Sequence, residues 1–202
     1  MEYMLTASLW IGYCALHSYL ISIGFTNLMI RLLRNYYAFY RLFYILISLA
    51  LLIPLIKYSG QADTRIIITY EYPLSIIQYA LIAGSLTIFF FAFFFNYDSL
   101  SFFEIRQILN FKKTKAVDAS PDIRKNGLLG IIRHPMYFAL IIYLWCQTFR
   151  MMDILVNAVL TMYIVIGTKL EEKKLVLEYG DTYIKYQQEV PMLIPFTKAS
   201  GN

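Results

Sequence analysis

The sequence predicts an all-α integral membrane protein of about five transmembrane helices, the last two a helical hairpin, followed by a C-terminal cytoplasmic amphipathic helix. Three observations carry this. Of 202 residues, 59% are hydrophobic and only 15% charged, where a soluble domain carries about a quarter. Mean hydropathy is +0.55. The charges are bunched, so several long runs hold none. This excludes a disordered, fibrous or ordinary soluble chain. With 6 Pro, 9 Gly and no internal period, one membrane domain is expected over 1–202. Within it we expect a three-helix part over 1–95, a cytoplasmic loop over 96–126 and a site-bearing half over 127–196.

Tyr3 to Ile30 contains no Asp, Glu, Lys or Arg, and roughly 20 such residues cross a ~30 Å hydrocarbon core. The Met1-Glu2 start and bulky following residues do not resemble a cleaved signal peptide, so this span is read as retained. Leu42 to Ile56 forms a second span, with Arg41 and Lys57 able to snorkel and Tyr36, Tyr37, Tyr40 and Tyr58 as interfacial rings. Leu74 to Phe95, introduced by Pro73, is the third. Met136 to Phe149 and Ile154 to Thr168 are uncharged runs separated by Arg150, Met151, Met152 and Asp153, which read as a tight helical hairpin. Each arm covers about 21 to 23 Å, so crossing requires bilayer thinning or snorkelling. Gln147 and Asn157, polar groups in these arms, are expected to bond between helices. Cys14 and Cys146 lie in apolar runs and read as small hydrophobes.

All of the 18 lysines and arginines except Lys57, Arg65 and Arg150 fall on one side of this topology. The positive side is cytoplasmic, which places the N-terminus outside and the C-terminus in the cytoplasm. The net charge of +5 is then an orientation signal. Basic clusters such as Lys112-Lys113-Thr114-Lys115 read as anchors at the lipid bilayer, and no nucleic-acid partner is expected. The polar stretch from Asn96 to Asn126, with Pro121 and Asn126-Gly127 as turns, is a candidate gate for substrate entry.

Candidate chemistry begins at Arg133-His134-Pro135-Met136-Tyr137. Pro135 suits a first helical turn and forces His134 into an extended capping conformation. Arg133 and His134 therefore sit at a helix N-terminus, where backbone N–H groups and the dipole attract anions; an ordinary lipid-headgroup anchor beside a capping histidine fits equally well. After the hairpin, Lys169 to Tyr186 reads as an amphipathic helix. Glu172, Tyr179, Tyr183 and Tyr186 lie on one face if Gly180 leaves that helix unbroken. That face lines a polar pocket or, on the plainer reading, is an interfacial tyrosine stripe. Both features leave the membrane on the same side. Together they suit a zwitterionic, amino-acid-like ligand, with Arg133 and His134 near its carboxylate and Glu171 and Glu172 near its ammonium or hydroxyls.

Arg-His-Pro-x-Tyr at 133–137, Glu-Glu-x-x-Leu at 171–175, Tyr-Gly-Asp-x-Tyr-x-x-Tyr at 179–186 and Val-Pro-Met-Leu-Ile-Pro at 190–195 resemble the isoprenylcysteine carboxyl methyltransferase and phospholipid methyltransferase superfamily. The resemblance covers residues 126 to 196. Ala15-Leu16-His17-Ser18 and Tyr36-Tyr37-Ala38-Phe39-Tyr40-Arg41-Leu42 are more weakly similar to its methanethiol S-methyltransferase and NnrU-like branches, which favours a small acceptor.

The resemblance implies a membrane enzyme that uses S-adenosylmethionine on a small-molecule or lipid-like methyl acceptor, most simply a thiol. His134, Pro135, Tyr137, Glu171, Glu172 and Tyr183 match its cofactor pocket, and Arg133 and Tyr137 its catalytic motif, with no metal. Ala139 stands where many members have glycine, which predicts a more crowded approach there. Methyl transfer is an in-line displacement served mainly by positioning and exclusion of water. A thiol acceptor must also lose its proton, and its reference pKa of about 8.5 falls beside a cation such as Arg133 or the donor's own charge. Carboxyl methylation of isoprenylcysteine and N-methylation of a phospholipid are alternatives within the superfamily. From another class comes a haem-binding protein with His17 and His134 as axial ligands, and from a third a small scaffold, for which the sequence offers no positive sign.

Overall fold

The computed structural model describes residues 1–63, 65–96, 125 and 127–197. The loop expected over 96–126, with its candidate gate, lies outside the described residues apart from Asn96 and Lys125. The helices are α1 (Glu2–Leu20), α2 (Ile23–Leu33), α3 (Tyr40–Ala62), α4 (Leu74–Phe91), α5 (Pro135–Trp145), α6 (Met151–Tyr179) and α7 (Asp181–Glu189). Two short strands, β1 (Ile66–Ile68) and β2 (Phe149–Arg150), accompany them. Turns of 3₁₀ helix cover Arg34–Phe39 and Gly127–Gly130, and a π turn over Ala92–Asn96 prolongs α4. The described residues fall into two compact units, each treated by itself.

The first unit gathers residues 1–69 and 148–163. The single span expected from Tyr3 to Ile30 is broken here. Its two helices diverge by 54°, because Ser22 turns extended and caps α2, its hydroxyl accepting the Phe25 N–H at 3.3 Å. Tyr40, expected as an interfacial ring, is instead buried. Its hydroxyl donates to the Leu20 carbonyl at 2.7 Å, satisfying one of the acceptors that the end of α1 leaves open. Trp10, Leu55, Met152 and Val156 form the packed core, and the Trp10 indole N–H donates to Ser59 Oγ at 2.8 Å. The turn expected at Arg150–Asp153 is the end of β2 running directly into α6. β1 and β2 pair antiparallel, Ile66 opposite Arg150 and Ile68 opposite Phe149. The Arg150 guanidinium spans Asp153 (2.8 and 3.0 Å) and the Gly60 carbonyl (2.8 Å). His17, the lone histidine of the first span, lies 2.6 Å by Nε2 from the Tyr44 hydroxyl and 3.1 Å by Nδ1 from that of Tyr163.

The second unit gathers residues 70–96, 127–147 and 164–197. α5 lies along α4, and the buried Gln78 donates to the Cys146 carbonyl at 3.0 Å. This residue makes the interhelical bond expected of Gln147, whose amide reaches back to Tyr143 O instead. α5 has 11 residues, about 16 Å of helix, too short to cross a ~30 Å core by itself. Among the described helices three are long and apolar enough to span: Leu42–Ala62, Leu74–Phe95 and Met151–Tyr179. The bent pair α1–α2 makes a fourth if it counts as one. The separate amphipathic helix expected from Lys169 is a continuation of α6. It stops where Gly180 adopts φ 57°, ψ −137°, a region in which a side chain is strained. α7 starts anew at Asp181, so Glu172 and Tyr183 stand on different helices.

Candidate functional site

The site of the second unit is assembled by three stretches of chain. Pro135 opens α5 and holds His134 in an extended conformation as its N-cap. The segment after α7 then lies against the residues preceding that cap. The Arg133 N–H donates to the Pro191 carbonyl at 2.9 Å and the His134 N–H to that of Met192 at 3.2 Å. The Tyr186 hydroxyl donates to the Leu129 carbonyl at 2.6 Å.

Arg133 and Glu172, both buried, meet in a two-pronged ion pair, Nε to Oε1 at 2.5 Å and Nη2 to Oε2 at 2.9 Å. Such a pair is worth its desolvation only when the remaining donors and acceptors are also met, and here four of the five guanidinium N–H groups and all four acceptor positions of the carboxylate have partners. Arg133 Nη1 donates to the carbonyls of Gln187, at 2.9 Å, and Val190. Glu172 also accepts from His134 Nε2 at 3.1 Å and from Gln187 Nε2 at 3.0 Å. Four donors fill a carboxylate's capacity. Arg133, which the sequence offered as a cation facing a ligand, therefore directs its donors at the protein's own acceptors.

His134 is pinned on several sides. Its ring stacks on Tyr137, with centroids 5.6 Å apart and planes 18° from parallel. Nε2 is fixed by Glu172. Nδ1 is buried and, among the described residues, has no hydrogen-bond partner. A buried polar atom left unpaired costs about 1–3 kcal/mol, and this nitrogen is the one polar atom of the His134 side chain that the described residues leave unmet. Glu171 turns the other way from Glu172, and one oxygen accepts the Tyr137 hydroxyl at 2.9 Å. Tyr183 and Tyr186 pack with Val190. Burial raises both phenols, Tyr183 beyond the ordinary tyrosine range and Tyr186 to about 12.

The structure thus brings together Arg133, His134, Pro135, Tyr137, Glu171, Glu172 and Tyr183. Sequence reasoning missed Gln187 and the carbonyls of Gln187, Val190, Pro191 and Met192, which carry no side-chain signature; Pro191, which ends α7, was the one available hint. Ala139, two positions beyond the motif tyrosine, is fully buried, so its methyl group is packed.

The chain is similar to several methanethiol S-methyltransferases. It is 41% identical to that of Pseudomonas deceptionensis over 95 residues, 46% of this chain and 36% of the relative. It is 35% identical to methanethiol S-methyltransferase 1 of Bradyrhizobium diazoefficiens over 119 residues, 58% of this chain and 40% of the relative. With that of Crocosphaera subtropica it shares 42% identity over 66 residues, 32% of this chain and 26% of the relative. The chain thus spans less than half the length of these relatives. No family model and no solved structure matches it.

Proposed function

We propose that this chain is an integral-membrane methyltransferase that uses S-adenosylmethionine to methylate a small thiol, at a site formed by the start of α5, the far end of α6 and the segment after α7. The observation that carries the reading is the similarity to S-methyltransferases named for a thiol. The site's own chemistry supports it. A buried imidazole nitrogen without a partner among the described residues calls for a ligand, and the residues around it suit a zwitterionic, cationic donor.

Glu171, half-buried and holding the Tyr137 hydroxyl, offers negative charge to an ammonium or sulfonium. The first turn of α5 directs backbone N–H groups at a carboxylate. Pro135 and Tyr183, both buried, wall the site against water. When bound, the donor supplies an electrophilic methyl group on a positively charged sulfur. The chain's part is then to hold two reactants in line and dry, which by itself accounts for much of such a displacement. Arg133 and Glu172 act as positioning residues, tying α5, α6 and the C-terminal segment together.

In the bilayer, the distribution of Lys and Arg supports an outside N-terminus and a cytoplasmic C-terminus and site. Residues 136–149 and 154–168 cross as the two hairpin arms on this reading, the first with bilayer thinning or snorkelling because its helix of 11 residues covers only about 16 Å.

Isothermal titration of the detergent-solubilised chain with S-adenosylhomocysteine tests the donor site, and transfer of a labelled methyl group to methanethiol tests the reaction. Micromolar binding that Glu171→Ala weakens, together with labelled product, is the expected result. Absence of binding to the unaltered chain overturns the reading.

A further inference from the structure

The unpartnered nitrogen of His134 can be assigned more narrowly, on the premise of the function just proposed. Glu172, held by the Arg133 guanidinium, is an acceptor only, so the proton between it and His134 sits on Nε2. In the neutral ring Nδ1 then presents a lone pair, and whatever meets it must bring a proton. Of the other basic groups at the site, Glu171 is only half-buried, holds the Tyr137 hydroxyl on one oxygen and, on the proposed function, meets the donor's ammonium or sulfonium. Glu172 accepts four hydrogen bonds, from Arg133 twice, His134 and Gln187. Arg133 has no lone pair to offer. His134 Nδ1 is the site's buried base without a donor among the described residues.

Methylation of a thiol has one requirement that methylation of a carboxylate lacks, which is removal of the acceptor's proton. We propose that His134 Nδ1 is the general base that takes this proton, and that the Glu172–His134 pair is a carboxylate–imidazole dyad directed at the acceptor thiol. In the step the S–H bond breaks and its proton passes to Nδ1. The electron pair stays on the thiol sulfur, which forms the new bond to the methyl carbon as that carbon's bond to the sulfonium breaks. The products are a neutral methyl thioether and the neutral thioether left from the donor. The imidazolium formed for that interval is stabilised through Nε2 by the Glu172 carboxylate and then gives its proton to solvent. A carboxylate behind a histidine fixes tautomer and orientation and favours the charged ring. Stacking on Tyr137 and the two backbone bonds at His134 keep the ring in place.

The test separates proton removal from donor binding by varying the acidity of the acceptor. His134→Gln retains an amide N–H to meet Glu172 in place of Nε2 but has no base. His134→Asn is a second variant, with a carbonyl near the position of Nδ1 that accepts a hydrogen bond but not a proton. Each is assayed in detergent for methyl transfer to ethanethiol and to pentafluorothiophenol, which is ionised at neutral pH, and is titrated with S-adenosylhomocysteine. The expected result for ethanethiol is a rate loss of about 100-fold or more, the lower end of what a general base contributes. The loss for the acidic thiol is at least tenfold smaller, and S-adenosylhomocysteine still binds. Equal losses with both thiols, or loss of S-adenosylhomocysteine binding in both variants, assign His134 to the donor or to the fold and overturn the proposal. An unaltered chain that binds S-adenosylhomocysteine yet methylates neither thiol overturns the thiol chemistry while leaving the donor site standing. No binding at all overturns the methyltransferase reading.

Discussion

Arg133 and Glu172 lie 39 positions apart in the chain, yet form the most completely bonded ion pair of the described residues, with two contacts to each other and further bonds from each to Gln187. The pair joins the residue before α5 to the far end of α6, and through Gln187 and Val190 it fastens the segment that follows. It should therefore behave as a structural clamp. Removing one partner leaves the other as an uncompensated buried charge, which costs about 3–5 kcal/mol. Glu172→Ala is expected to lower the thermal midpoint of the detergent-solubilised protein by several degrees. Arg133→Lys, which lacks the planar fork, should do nearly the same despite keeping its charge. A midpoint for Glu172→Ala equal to that of the parent protein would mean that the pair is not what holds these segments.

Gly180 ends α6 in a conformation that side chains rarely adopt, and a Cβ there would meet nothing within 4 Å. The penalty for Gly180→Ala is thus one of backbone strain alone, about 1–3 kcal/mol. The expected outcome is a less stable protein with weaker binding of S-adenosylhomocysteine, because α7 and the segment beyond it shift against Arg133. Gly180→Asn should cost about as much as Gly180→Ala, since at ψ −137° the position lies outside the αL region in which asparagine is tolerated. Thermal unfolding of the three forms gives the order.

Tyr186 donates to Leu129 O, and burial pushes its phenol up to about 12. A raised folded-state pKa contributes stability that is intact below the unfolded value of about 10 and fades as pH climbs from there toward 12. Unfolding midpoints should be level from pH 7 to about pH 9 and then fall. Tyr186→Phe should lose about 1–2 kcal/mol at neutral pH from the orphaned carbonyl, with a shallower alkaline decline. Circular dichroism melts across that range provide the measurement.

Asp63, just past the end of α3, accepts the Tyr3 hydroxyl at 2.6 Å and the Arg65 N–H at 3.0 Å. The tyrosine bond is the main cause holding its carboxyl down at about 2. The sign is opposite to that of Tyr186. The contribution is present above the ordinary carboxylate value of about 4 and disappears as pH falls from there toward 2. Tyr3→Phe should bring the Asp63 titration, followed by NMR or infrared absorption of the carboxyl, back toward its ordinary range.

The sequence by itself determined the membrane class, because runs without a formal charge have only one favourable solvent. It determined too that Arg133, His134 and Tyr137 stand at the start of a helix, since Pro135 allows little else, and that Glu171 and Glu172 follow the last apolar run. Hydropathy is a sum along the chain, and a proline acts on its neighbours, so both are legible locally. Gly180 was legible as a possible break but not as an actual one. Ser22, a lone capping residue in a charge-free run, cut the first span without altering its hydropathy. Which carboxylate clamps Arg133 and which holds Tyr137 was decided only by the tertiary structure. So was the use of backbone carbonyls at Gln187 and Val190, which every residue type carries alike. That Nδ1 of His134 has no partner among the described residues belongs to the same class of fact. An atom without a partner is a property of everything packed around it, and that packing exists only once α5, α6 and the segment after α7 have come together.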